Sequence, residues 1–421
     1  MTNETLNDPG IHLPWAGKIV RMEEVEDVLS SLWRMSADNL RIGANLSVRT
    51  SVLNLIICAP DVETAQRVSI ILRKLSSTHL SRVVILILDS SENSPNAITA
   101  WVTLRCFSVI SDLMRHCFEQ TTMLASGSSI RFAANIIQPL LKPDLPVYLW
   151  WLGDPPDQND PTFAGLVDLS NRIIVDSTSF FSPEQDIRTL AALFQASPDS
   201  ALSDLNWGRL TPWRQLTIQF FDVPEYRPYL AGVDSIEIEH AVAPLAVPTR
   251  TEQGDVSPNP TRALLLAGWL KARLGWTMVS KEYLDTASGT YHWIMERTAN
   301  LRTTRSLTPI RSKTGKLGNT ASISIRPRVQ TEMRPGSICL VRLVSKMENK
   351  QATFTISRED DLNNVLTSVE LSHETRPKRT VSLAAENNEG ELLRDELEIL
   401  GHDYPFEQTL LEVAEMLSED L

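Results

Sequence analysis

Glycine is scarce in this 421-residue sequence: there are 17, and none stand as G-x-G-x-x-G or G-x-x-x-x-G-K-[ST]. A phosphate-cradling loop needs clustered glycines so that backbone N–H groups can approach the anion. Nucleotide binding by those two routes is therefore excluded. Cysteine is scarcer. Cys58, Cys106, Cys117 and Cys339 are the four, and no two have C-x-x-C spacing. That excludes zinc knuckles and thioredoxin-type redox motifs. The seven histidines include no two that lie three to five residues apart, so no helix-face metal pair and no H-E-x-x-H exists. A G-x-S-x-G nucleophile elbow is also missing. No apolar run approaches the roughly 20 residues of a membrane span. The longest, Val83 to Leu88 and Val147 to Leu152, have the length of strands. The first ten residues hold no basic cluster and no apolar run. The resulting expectation is a soluble, cytoplasmic chain with no catalytic, cofactor-binding or metal-ligating residue to assign, and no membrane partner.

What is present is an uneven charge. The net charge is −12, and Glu386 to Leu421 alone carries twelve Asp/Glu against one Arg. Residues 297–350 carry twelve Lys/Arg against Glu332 and Glu348. Such a basic stretch is one signature of nucleic-acid binding. Phe and Tyr are absent from it, however, so it offers no stacking platform for bases. A solvated face with a mobile basic loop over 302–318, or docking on an acidic protein surface, accounts for it better. The acidic end is expected to be solvated in the main, although Phe406, Leu410, Leu411, Val413, Ala414 and Leu417 form a helical apolar stripe.

Hydrophobic periodicity gives the order of elements. A helix is expected over 22–42, a buried strand over 52–58, a helix capped by Asp61, and a second buried strand over 83–88. This is a βαβ unit with a parallel pair. Period-two alternation from Ile98 to Cys106 predicts a half-exposed strand near an edge. A helix is then expected over 107–118, a strand over 121–125 and a helix near 128–141. Strands follow at 147–152 and 172–176, and helices at 183–196 and from Thr211. A very apolar helix spans 261–274, and strands span 290–296, 320–328, 337–346 and 350–357, the last two as an antiparallel hairpin. The fold class is α/β: residues 1–180 an N-terminal α/β sheet domain with helices on both faces, 181–385 an α+β domain with antiparallel strands and a Pro-rich loop at 243–260, and 386–421 an acidic helical tail.

Two patterns bear on function. Asp89, Asp154 and Asp176 each end or follow an apolar strand, and open α/β sheets bind ligands at that edge. Capping of turns and helices is the simpler reading of all three. Trp150 and Trp151 face opposite ways on one strand. Core packing is favoured for both over an interface anchor.

Five words of the sequence stand in order: Ser81-Arg-Val-Val-Ile-Leu-Ile-Leu-Asp89, Leu145-Pro-Val-Tyr-Leu-Trp-Trp-Leu-Gly-Asp-Pro-Pro156, Asn171-Arg-Ile-Ile-Val-Asp-Ser177, Asp204-Leu-Asn-Trp-Gly-Arg-Leu-Thr-Pro-Trp-Arg214 and Ala263-Leu-Leu-Leu-Ala-Gly-Trp-Leu-Lys-Ala-Arg-Leu-Gly275. Together they resemble the OpcA family of glucose-6-phosphate dehydrogenase assembly proteins over roughly residues 45–280. The resemblance implies a non-catalytic factor that assists assembly and activity of that dehydrogenase. It implies no cofactor and no nucleic-acid partner. Direct binding that favours the active conformation or oligomer follows as the expected mechanism, because a binder shifts an equilibrium only by its differential affinity for the two states. The expected partner-binding residues are Trp151, Trp213, Arg214, Arg302, Arg305 and Arg311. Cys117 and Cys339 are the thiols weighed for a redox switch. A sugar-phosphate enzyme using the Asp89, Asp154 and Asp176 edge, and a nucleic-acid regulator using the basic segment, stand as alternatives. The chain's own oligomeric state is left open.

Overall fold

The computed structural model describes residues 18–40, 46–48, 51–75, 81–91, 94–110, 114–156, 160–243, 259–285, 287–297, 320–347, 350–358, 363–372, 374–376, 378–383 and 388–418. They divide into two compact units. One comprises Met1–Gly153, Gln158–Ile174 and Glu389–Gly401; the other comprises Asp154–Asp157, Val175–Asn388 and His402–Leu421.

The first unit is built from β1 (Lys18–Val20), α1 (Val25–Leu40), β2 (Leu46–Val48), β3 (Leu53–Ala59), α2 (Val62–Leu75), β4 (Ser81–Asp89), β5 (Ala97–Ile110), β6 (Met114–Ser126), α3 (Ala133–Ile137), β7 (Val147–Trp151), α4 (Pro161–Asp168) and β8 (Arg172–Val175). Its strands run in the order β1-β5-β6-β4-β3-β7-β8, with β2 beside β6. The expected βαβ unit is present, with Leu53 to Ala59 running parallel to Ser81 to Ile87. Asp61 starts α2 by accepting the Thr64 N–H at 2.7 Å. Ala65, Val68, Leu72 and Leu75 then turn one buried face inward. Every residue of β3 and of β7 is buried, the pattern of strands covered on both sides.

The helix expected over 107–118 does not form. Residues 107–110 and 114–118 belong instead to two long antiparallel strands, in which Ala97 pairs with Ser126 and Ile110 with Met114. Cross-strand pairs along β-branched Val102, Thr103, Thr121 and Thr122 stabilise the ladder in a way that no local window reveals. The helix expected near 128–141 is broken into 3-10 turns on either side of the short α3, the second of them around Pro139. Proline has no N–H to continue the helical ladder.

The second unit holds α5 (Pro183–Ala196), β9 (Ala201–Asp204), α6 (Leu205–Arg209), α7 (Thr211–Asp222), β10 (Val233–Val242), α8 (Thr261–Leu274), β11 (Trp276–Asp285), β12 (Thr290–Arg297), β13 (Thr320–Val329), β14 (Ile338–Met347), β15 (Lys350–Arg358), β16 (Asn364–Leu371), β17 (Glu374–Thr375) and β18 (Arg379–Ser382). Its sheet runs β11-β12-β13-β10-β14-β15-β16-β17, with β18 also on β16. Only the β10–β13 pair is parallel among the described residues. The β14–β15 hairpin forms as expected.

The acidic end is not a solvated tail. The helix α9 (Glu389–Glu398) belongs to the first unit, and α10 (Tyr404–Leu417) belongs to the second. Phe406, Leu410, Val413, Met416 and Leu417 are buried, and α10 packs on α8 and α5. The carboxylates of Glu412 and Glu415 meet the buried Lys271 ammonium of α8, the latter at 2.7 Å. Trp293 Nε1 donates to the Met416 carbonyl at 3.0 Å. Gly268 makes the close packing possible: a Cβ there would lie 2.5 Å from Val413 Cγ2.

Candidate functional site

Two of the sequence words, with the residues just ahead of a third, meet in one buried polar cluster of the second unit. Asp176, just after β8, caps the turn Ser177–Ser179 by accepting the Thr178 hydroxyl at 2.6 Å and its N–H at 3.2 Å. Arg209, at the end of α6, grips the same carboxylate with both Nη atoms, at 2.7 and 2.8 Å. This is the parallel two-bond geometry that only a guanidinium offers. Asp204 ends β9 and caps α6, accepting the Asn206 N–H at 2.8 Å. It also accepts the Ser177 N–H at 3.0 Å and the Ser177 hydroxyl at 2.5 Å. Asn206 donates to Ser177 Oγ and accepts from Arg262 Nε of α8 at 2.9 Å. Asn259 donates to the carbonyls of Ser177 and Thr178, and its own oxygen accepts the Thr261 N–H ahead of α8.

The electrostatics follow from burial. Asp204 is pushed up to about 6, first by burial and then by the neighbouring Asp176 charge. Burial acts in the same direction on Asp176, but the Arg209 fork outweighs it and holds that carboxyl below its ordinary range. Both oxygens of each carboxylate are engaged by donors of the chain itself. The cluster therefore ties the turn Asp176–Ser179, β9, α6 and α8 together.

The other expected residues fall as follows. Asp89 accepts from the Ser91 N–H and hydroxyl and from the Ser94 hydroxyl, so it closes its own turn. Asp154 accepts the Phe181 N–H at 2.7 Å. Asp89 and Asp176 thus cap their own turns, the latter through Thr178, and all three carboxylates are engaged by donors of the chain. Trp151 is only 9% exposed and sits edge-on to Phe163, with ring centroids 4.8 Å apart. Trp213 is 0% exposed. Neither is the exposed anchor expected of a partner-binding residue, because each fills a core where an indole removes the most apolar surface from water. Arg214 is half-buried, its guanidinium 3.5 Å from the Trp207 ring centroid and bonded to Thr211 Oγ1 at 2.9 Å. Arg302, Arg305 and Arg311 lie outside the described residues, as do the side chains of Cys106 and Cys117. Cys339 is buried, and burial pushes its thiol up to about 11. Among the described residues no group of His, Cys, Asp or Glu could hold a metal, and no helix is long and apolar enough to cross a membrane.

Sequence reasoning missed Asp204, Asn206, Arg209, Asn259 and Arg262. One signal was available: Asp204 is a residue type that favours helix N-caps, although the expected helix starts only at Thr211. It also missed the buried Glu119, which accepts Trp33 Nε1 at 2.7 Å and lies 3.5 Å from the buried Arg82.

Comparison with known proteins gives two family models in sequence order. An OpcA model described as the glucose-6-phosphate dehydrogenase subunit N-terminal domain matches residues 73–192, and one described as the C-terminal domain matches residues 200–410. A Synechocystis sp. protein with the provisional name OxPP cycle protein OpcA is 36% identical over 167 residues, which is 40% of this chain and 31% of that protein. A Nostoc punctiforme protein of the same name is 35% identical over 182 residues, 43% of this chain and 35% of that protein. The matched stretch thus spans about a third of the length of these curated relatives. Among solved structures, levoglucosan dehydrogenase in complex with NADH aligns over 86% of this chain and 95% of its own, at 10% identity and a TM-score of 0.44. UDP-N-acetylglucosamine 3-dehydrogenase GnnA from Acidithiobacillus ferrooxidans aligns over 87% and 99%, at 11% identity and a TM-score of 0.37. At such scores the likeness carries no argument about this chain's chemistry.

Proposed function

The chain belongs to the OpcA family of glucose-6-phosphate dehydrogenase assembly proteins, and from that premise we propose that it is a non-catalytic, cytoplasmic factor that binds this dehydrogenase and favours its active conformation or oligomer in the oxidative pentose phosphate pathway. The observation that carries the reading is the pair of family models, which follow one another along most of the chain. The engagement of Asp89, Asp154 and Asp176 by donors of the chain itself supports the non-catalytic part, because these were the carboxylates on which an enzyme reading rested. Activation by binding requires unequal affinity for two states of the enzyme: a tenfold preference, about 1.4 kcal/mol, moves the equilibrium by up to tenfold. Arg214 and the basic residues Arg302, Arg305 and Arg311 are the proposed contacts with the dehydrogenase.

The test mixes the full chain with the dehydrogenase from the same cell. Dehydrogenase rate is recorded against glucose 6-phosphate, and particle mass by light scattering. A stable complex with raised kcat or lowered KM is expected. No complex and no rate change, across salt and reductant concentrations, would remove the proposal.

A further inference from the structure

The large sheet of the second unit is two-sided, and its two sides differ. Ile236, Ile238, Trp293, Ile323, Leu343 and Phe354 point to one side and are fully buried. Helices α7 and α8 pack on that side, and α10 is tied to it through Trp293. The residues between them point to the other side, and the sheet register fixes how they line up. Across β12, β13, β10, β14 and β15, Ile294, Ser322, Ser235, Val344 and Thr353 form one continuous uncharged row. All five are half-exposed. Charges flank the row, and each described pair closes within the chain. Glu237 bridges Arg342 at 2.7 Å and Arg326 at 3.3 Å; Glu239 meets Arg328 at 2.8 Å; Asp234 meets Lys346 at 3.2 Å.

We infer that this outer face is where a second copy of the chain docks, sheet against sheet. Three observations favour a second copy. First, charge: the whole chain carries −12, so most of its surface repels a copy of itself. Across β12, β13, β10, β14 and β15 this face carries four carboxylates, Asp234, Glu237, Glu239 and Glu296, against four cations, Arg326, Arg328, Arg342 and Lys346, and a two-fold contact needs such balance because the same groups meet across it. Second, area: seven strands about 4.8 Å apart and some nine residues long present a face of about 1,000 Å². A stable interface needs about 800 Å² per partner. Third, pattern: a flat centre of serine, threonine and branched apolar side chains lets sheets approach to about 10 Å, and a rim of ion pairs is the usual arrangement of an interface. Because the rim charges of β10, β13 and β14 are already paired with one another, covering those pairs leaves none of them as a lone buried charge.

The experiment measures the mass of the full purified chain by sedimentation equilibrium at about 10 µM, where an interface of this size holds. Twice the chain mass is expected. Ser235→Arg and Val344→Arg each place an unpaired cation in the uncharged row and are expected to give the single-chain mass with an unchanged thermal midpoint. Ile218→Arg, on the exposed side of α7, is the control and is expected to keep the double mass. A single-chain mass for the wild type, or a double mass for both row variants, overturns the inference. A single-chain wild type whose dehydrogenase binding is abolished by Val344→Arg also overturns it, by giving the face to the dehydrogenase.

Discussion

Arg209 and Asp176 are both buried, and their value lies in being paired. Removing one partner of a buried ion pair leaves an uncompensated charge. Asp176→Ala is therefore expected to lower stability by about 3–5 kcal/mol, read as a fall in the urea midpoint. Asp204 and His240 make opposed pH predictions. Asp204 keeps its proton up to about pH 6 in the folded chain, whereas the unfolded chain releases it near pH 4. The folded state thus holds the extra proton between those values, and stability falls as pH rises across that window. His240 is buried on β10 with Nε2 3.0 Å from the Gly289 carbonyl, and burial first of all lowers its pKa. Below about pH 6.5 the unfolded chain takes up the proton that the folded chain refuses, so this contribution is lost as pH falls. The two partly cancel in the wild type. In urea titrations between pH 4 and 7, Asp204→Asn should steepen the loss of stability toward acid, and His240→Asn should reverse its sign.

Gly268 governs how α10 meets α8. A methyl group at this position would press on Val413 and lie 3.1 Å from the Thr409 carbonyl. Gly268→Ala is expected to cost about 1–3 kcal/mol by overpacking, despite alanine's better helix propensity. Adding Val413→Ala should recover part of that loss, since the new methyl then has space. Additive losses in the double variant would show that the two helices do not meet there. Legibility differed by element for the same kind of reason. The helices over 183–196 and 261–274 and the β14–β15 hairpin follow from local periodicity and turn residues. The β5–β6 pairing does not, because its stability resides in pairs that are adjacent only after the chain turns back.

At the scale of the whole molecule, the activation experiment also tests the thiol idea. Cys58 and Cys339 are buried, and burial raises both thiols, which leaves little thiolate to react. The double variant Cys58→Ala, Cys339→Ala is expected to leave any response of dehydrogenase activation to reductant unchanged. Loss of that response would place the switch at one of these two buried sites.

The sequence by itself determined the α/β class, the βαβ start, the charge asymmetry and the family, because local periodicity and ordered words carry those properties without reference to distant residues. The tertiary structure alone decided that the acidic end docks through α10, that Trp151 and Trp213 are core, and that Asp176, Asp204, Arg209 and Arg262 form one cluster. Burial and pairing of a charged side chain depend on which distant segment covers it, and no window of neighbouring residues contains that information.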